Sequence, residues 1–213
     1  MKGCGMKDRR QPESSIPGFD ELTRSLFEIG AIKLGEFKLK SGIISPFYFD
    51  MRCIISHPSI LKTMAGLYIE KCAGLEFSRI AGIPFTGLPI AVAVSLAADY
   101  PMVFARREAK GYGVARQVEG SFDAGERVLL IDDVITDGRS KMEHVNIFVN
   151  NGLIVRDILV FLDREQGGRG NMEKHGIMLH SVCTITRLLG SLLETGDIDA
   201  GQYKTIHDFI SKT

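Results

Sequence analysis

With 213 residues, 45% of them hydrophobic, the chain can bury one substantial core, and its length favours one domain or at most two. Its 26 basic and 26 acidic side chains cancel, so no global field recruits nucleic acid or an anionic membrane, and any anion site has to be local. Cys4, Cys53, Cys72 and Cys183 are scattered without a C-x-x-C pair or a neighbouring histidine cluster, which suggests neither a zinc site nor a disulfide framework.

Lys2, Lys7, Arg9 and Arg10 crowd the amino end, but no apolar run follows them, which argues against a secretory signal. The uncharged stretch from Ile80 to Ala98 is broken by Gly82, Pro84, Gly87 and Pro89, so no membrane helix is expected there. A cytoplasmic protein with no membrane and no nucleic-acid partner is the expectation.

Residues 1–17 carry charge and glycine without a period and predict a loose tail, with a single domain over 18–213. From Phe19, the apolar positions Leu22, Leu26 and Ile29 recur at helical spacing, and Gly30 follows as a stop. "FKLKSG" and "PFYFDMR" predict two short strands flanking a Ser-Gly turn, and Pro58 opens a helix carrying Ile60, Met64 and Leu67. A regular alternation follows: "RIAGI", a helix from about Leu88, "MVFA", a polar loop, "VLLI", a helix from about Ser140, "DILVFL", a short helix, "IMLHSVCTI", then helices. Short apolar strands separated by helices predict right-handed crossovers and an α/β architecture, a central, mainly parallel sheet flanked by helices.

Past the carboxyl ends of these strands lie Pro84-Phe85-Thr86-Gly87, Arg106-Arg107, Asp132-Asp133 and Asp163-Arg164. In an open α/β sheet those ends converge on one crevice, where ligands bind. In "VLLIDDVITDGRS" a buried strand leaves Asp132 and Asp133 at its tip, pointing to opposite sides, and Thr136 to Ser140 turn into a helix whose free N–H groups can hold a phosphate. Gly138 allows close backbone approach, while Thr136 and Ser140 add hydroxyls. Vicinal carboxylates beside a phosphate cradle suit a sugar phosphate; the plainer reading is a buried strand before an Asp-capped helix. Neither a Walker loop nor a G-x-G-x-x-G turn occurs, which disfavours nucleoside triphosphates and dinucleotides.

In "ARREAKGYGVARQVEG", Arg106, Arg107, Lys110 and Arg116 stand among glycines, the composition of a cationic loop able to close over a diphosphate, or of a solvated basic loop. "FKLKSGIISPFYFDMR" offers Lys40 for an anion and Tyr48-Phe49 for a planar heterocycle, although the spacing of Phe47, Phe49 and Met51 favours core. Arg164, after a buried strand and before "EQGG", can hold a carboxylate with two donors or form a surface ion pair. The five histidines form no ligand spacing, and no Ser-His-Asp order stands out.

"LKSG", "SPFYFD", "RREAKGYG", "LLIDDVITDGRS" and "FLDREQGG", in this order from Phe19 to Ile210, resemble the orotate phosphoribosyltransferases, members of the type I phosphoribosyltransferase family. "LDREQGG" and "HGIMLHSVCTI" are most similar to the first domain of animal-type uridine monophosphate synthases, in which an orotidine 5′-monophosphate decarboxylase domain follows; a fusion of that kind is an arrangement the resemblance allows. The resemblance implies the type I fold with a small hood built from N-terminal elements. It also implies transfer of a phosphoribosyl group from 5-phosphoribosyl 1-diphosphate (PRPP) to orotate, giving orotidine 5′-monophosphate in UMP biosynthesis. On that resemblance Lys40, Arg106, Arg107, Lys110 and Tyr112 meet the donor's diphosphate. Asp132, Asp133, Val134, Ile135, Thr136, Asp137, Gly138, Arg139 and Ser140 hold its ribose 5-phosphate, and Tyr48, Phe49, Thr136 and Arg164 face orotate. Lys110, Arg107 and Asp133 are the catalytic candidates, Mg2+ arrives mainly on the donor, with no protein metal ligands assigned, and a homodimer shares the Lys110 loop across its interface. Where this chain has Arg107, Tyr112 and Phe85-Thr86, many bacterial members have lysine, histidine and a Tyr-Lys pair.

Three rival functions fit parts of the pattern. A purine phosphoribosyltransferase shares the cradle but recognises a neutral base, against which Arg164 and Lys40 argue. An RNA-binding regulator needs a basic stripe with exposed aromatics, and an interaction scaffold leaves the converging polar groups unused.

Overall fold

A computed structural model describes residues 18–38, 42–106 and 117–212. The chain opens with helix α1 (Phe19–Glu28), the antiparallel strands β1 (Ile32–Lys38) and β2 (Ile44–Phe49), a 3-10 helix (Met51–Ser56) and helix α2 (Pro58–Cys72). Then come β3 (Arg79–Gly82), α3 (Gly87–Ala98), β4 (Met102–Ala105), β5 (Val118–Glu119), β6 (Arg127–Ile135) and α4 (Arg139–Asn150). The chain closes with β7 (Ile154–Asp163), α5 (Gly168–Lys174), β8 (Met178–Thr184), α6 (Ile185–Glu194) and α7 (Ala200–Ile210).

The larger sheet runs β5-β4-β3-β6-β7-β8, parallel except where β5 returns against β4. Its strands are nearly continuous apolar runs because both faces are covered. Alternation along β6 sends Leu129 and Ile131 into a core shared with α1, α2, α3 and α6, while Val128 and Leu130 enter a second core with Val145 and Phe148 of α4. Strand order reverses between β3 and β6, so the carboxyl ends of these two strands open the crevice expected of an α/β sheet.

Two sequence expectations need correction here. "PFYFDMR" is a strand only as far as Phe49; Met51 and Ile54 turn inward on the 3-10 helix because both are needed in the core, at 2% and 0% exposure. The polar loop after "MVFA" contains the two-residue strand β5, which pairs Phe104 with Glu119 and Ala105 with Val118. Arg106 N donates to Gln117 O at 2.8 Å, continuing the β4–β5 pairing by one bond. The three described cysteines are free, Cys72 and Cys183 buried and Cys53 partly so. Among the described residues no helix is long and apolar enough to cross a membrane.

Candidate active site

β6 is longer than its apolar run predicts. Val134 pairs with Leu162 and Ile135 with Asp163, so the ladder with β7 carries Asp132 and Asp133 inside the strand rather than at its tip. Strand alternation still turns the two carboxylates to opposite faces, as expected. Asp132 is 4% exposed, its Oδ1 accepting from Asp133 N at 2.9 Å and its Oδ2 in contact with the Lys141 ammonium. Asp133 is half-buried and accepts from Val134 N at 2.8 Å. Burial, reinforced by Asp133 and opposed by Lys141, pushes the Asp132 carboxyl up to about 7.

Beyond Ile135 the chain bends for three residues and enters α4 with Gly138 at the N-cap, φ 82°, a left-handed conformation that glycine takes without steric cost. The N-cap glycine offers no side-chain cap, and of the first N–H groups, which lack the usual intrahelical acceptors, that of Arg139 is taken by Asp137. Asp137 folds the turn by accepting from Arg139 N at 3.0 Å and Arg139 Nε at 2.5 Å, and those hydrogen bonds hold its carboxyl below the usual range. Asn171 Nδ2 donates to Asp137 O at 2.9 Å and ties the turn to α5. Thr136 and Ser140 are exposed. The turn thus carries exposed hydroxyls at the positive end of a helix, a combination suited to a terminal phosphate.

Glycines make room for this turn on both sides. A Cβ on Gly87, at the start of α3, would lie 2.5 Å from Ile131 O and 3.1 Å from Asp132 Cα. One on Gly168, opening α5, would lie 2.6 Å from Thr136 O. The sequence reading placed the segment containing Gly87 at a strand end without this packing role.

Arg164 leaves β7 beside the turn, its N–H donating to Ile135 O at 3.0 Å. Its guanidinium lies 4.7 Å from the Phe47 ring centroid, and its Nε and Nη2 are buried with no hydrogen-bond partner among the described residues. Desolvation lowers its pKa, the direction expected of a buried cation awaiting an anion. Glu165, at φ 57° in the left-handed region, accepts from Thr186 N at 2.9 Å and Thr186 Oγ1 at 2.6 Å, fixing the backbone behind Arg164. The surface ion pair considered for Arg164 is not formed among the described residues; Asp163 instead meets Arg169 at 3.4 Å.

On β2, Phe47 and Phe49 share a face in edge-to-face contact at 5.5 Å, whereas Tyr48 turns to the other face and lies tilted against Phe37 at 5.6 Å. Spacing correctly assigned Phe47 to the core, but it also supports the Arg164 guanidinium, a role that only the tertiary fold exposes. Arg106 pairs with Glu119 at 2.9 Å, which makes the arginine a neighbour of its own hairpin. Lys40, Arg107, Lys110, Tyr112 and Arg116 lie outside the described residues. Lys141, absent from the sequence-derived site, was hidden because its position inside a helix gives no signal of its burial. Among the described residues no cluster of three His, Cys, Asp or Glu could hold a metal ion.

The fold has a close counterpart in the solved UMP synthase of Leishmania donovani, with a TM-score of 0.84 and 32% identity over 91% of this chain and 42% of that one. Sheet order, crevice and phosphate-shaped turn define a type I phosphoribosyltransferase fold. The chain is 40% identical over 193 residues to the uridine 5′-monophosphate synthase of Bos taurus, covering 90% of this chain and 40% of that protein. It is 36% identical over 192 residues to the orotate phosphoribosyltransferase of Pyrobaculum aerophilum, covering 90% of this chain and 98% of that protein. No protein-family model matches it. The chain belongs to the orotate phosphoribosyltransferase family; it spans about two fifths of the bovine relative's length and nearly all of the Pyrobaculum one's.

Proposed function

We propose that the protein transfers the 5-phosphoribosyl group of PRPP to orotate, releasing diphosphate and forming orotidine 5′-monophosphate in UMP biosynthesis. Family membership supports the reaction class, and one observation selects the acceptor: the Arg164 guanidinium, with two buried, unpartnered nitrogens, beside the turn at 136–140. A planar base carrying a carboxylate satisfies those donors and neutralises the buried charge; a neutral purine offers only uncharged acceptors, and a hydrogen bond between charged groups is about twice as strong as a neutral one.

In this reading the backbone N–H groups from Thr136 to Ser140 bind the 5-phosphate and fix the position of C1. Asp133 lies near the ribose and favours the positive charge that develops on the sugar as the C1–O bond to diphosphate lengthens. The orotate ring nitrogen gives up its proton to solvent or to the departing diphosphate and supplies the electron pair for the new bond to C1, and diphosphate departs with the pair of the old one. Magnesium enters as part of the substrate, on the donor's diphosphate and ribose hydroxyls. Lys110 and Arg107 close over the leaving group with Lys40, Arg106 and Tyr112. Phe49, on the face of β2 that carries Phe47 and meets Arg164, lines the approach to the base, whereas Tyr48 lies on the other face against Phe37. The active unit is a homodimer whose Lys110 loop serves the neighbouring site, it works in the cytoplasm, and the chain is compatible with fusion to a decarboxylase domain.

The test is to mix protein, magnesium, PRPP and orotate and follow loss of orotate absorbance. Turnover that neither adenine nor hypoxanthine inhibits is expected; turnover of a purine with none of orotate overturns the reading. Lys110→Ala is expected to lower turnover by about two to four orders of magnitude while orotate binding stays nearly intact. Mixing it with Asp133→Asn regains activity if the loop acts across subunits.

A further inference from the structure

We propose that Lys141 is a positioning residue of the donor site: its buried ammonium, seated on Asp132 beneath the phosphate turn, fixes the end of β6 and balances the paired aspartates. The inference rests on the reaction proposed above and adds a residue to it.

The side chains of Lys141 and Asp132 are 9% and 5% exposed, and both belong to the segment that forms the cradle. Lys141 stands in the first turn of α4, where the helix dipole disfavours a cation, so local helix energetics do not explain its place. It compensates Asp132, which burial and an adjacent carboxylate would otherwise drive to the neutral acid. Each polar handle of Asp132 is held: Oδ1 by Asp133 N, Oδ2 by Lys141, and its carbonyl by the fully buried Tyr68 hydroxyl at 2.6 Å. Asp133 follows directly in the strand, so a rotation of Asp132 moves the carboxylate that faces the ribose.

Among the described residues the titratable and charged groups around Asp132 are few. Lys141 comes from α4, Asp133 from β6 and Tyr68 from α2, with Cys183 of β8 near Tyr68, and Arg52 close enough to sense Asp133. α3 presents backbone at Gly87, and β7 presents Val160 as the register partner of Asp132. Asp132 in the folded protein is pushed up to about 7, well above the range of an ordinary aspartate. The native state therefore keeps a proton that the unfolded chain loses, and this residue's contribution to stability declines as pH rises from about 4 to 7. Removing Lys141 takes away an interaction that lowers the Asp132 pKa, so the decline continues above pH 7.

The experiment compares wild type, Lys141→Met, Lys141→Arg and the charge-free pair Asp132→Asn/Lys141→Met. It reads kcat/KM for PRPP from pH 6 to 9, the KM for orotate, and urea unfolding over the same range. For Lys141→Met we expect kcat/KM for PRPP to drop about tenfold at pH 7 and its acid limb to move up by about one pH unit, the size of a typical single-charge perturbation. The KM for orotate should stay within about twofold. Lys141→Arg should recover most of the loss, and the charge-free pair should unfold without the extension above pH 7. Unchanged donor kinetics and unchanged pH dependence of unfolding in Lys141→Met overturn the assignment, as does an extension that persists in the charge-free pair. If wild type turns over no orotate, the proposed reaction fails, and the unfolding profiles alone decide the role of Lys141.

Discussion

The turn at 136–140 and the pocket edge at Arg164 are joined by one hydrogen bond, Arg164 N to Ile135 O at 3.0 Å, yet they are made of different material. The turn and the strand leading into it are backbone against backbone: Gly87 against Ile131, Gly168 against Thr136, and a left-handed Gly138 at the start of α4. The edge is side chain against side chain, a guanidinium on an aromatic face with two nitrogens that find no hydrogen-bond partner among the described residues. A phosphate is met equally from many sides and is served by fixed amides; a carboxylate on a flat ring asks for a planar fork at one angle. The first region should therefore fail through conformation, the second through loss of one functional group.

The largest effect is expected where a single group carries recognition. Arg164→Leu should lower orotate kcat/KM by about 10² to 10³-fold, equivalent to the roughly 2–5 kcal/mol of a buried charge pair broken on one side. Donor binding measured calorimetrically without orotate should stay the same; a parallel loss of PRPP affinity would show that the two regions are not separable. Next comes Gly87→Ala, which brings a methyl to 2.5 Å from a backbone carbonyl that cannot yield as a flexible side chain does. Urea unfolding should show about 1–3 kcal/mol of lost stability, accompanied by weaker PRPP binding because Asp132 is pushed.

Gly138→Ala should cost less, about 1–2 kcal/mol for a left-handed non-glycine residue. The close approach of its Cβ is to the flexible end of Met172, at 2.6 Å, with Ile135 Cδ1 and Gly168 O at ordinary contact, 3.5 and 3.6 Å. Its signature is a raised KM for PRPP at a nearly constant KM for orotate, the mirror image of Arg164→Leu. The smallest change is Asp199→Ala, which removes the capping box with Gln202 at the start of α7. About 1 kcal/mol of stability should go with no change in either KM, setting the scale for purely structural loss.

The parallel sheet was legible in the sequence because its strands are buried on both faces and read as short apolar runs between helical segments. The phosphate turn was legible because Asp, Thr and Gly at fixed spacing each meet a local backbone demand. Phe47 and Lys141 were not, since a ring beneath Arg164 and an ammonium beneath Asp132 depend on elements brought together by the fold. The extension of β6 through Ile135 escaped for a related reason: two aspartates look like the end of a strand until the ladder to Leu162 and Asp163 is seen. β5 escaped because two residues carry no period.

The most direct test is a crystal structure of the protein with magnesium, orotate and a non-reactive PRPP analogue. The account predicts the 5-phosphate within hydrogen-bond distance of the N–H groups between 136 and 140, and the orotate carboxylate on Nε and Nη2 of Arg164. A 5-phosphate bound away from that turn, or an orotate carboxylate pointing to solvent with Arg164 still unpaired, would contradict it.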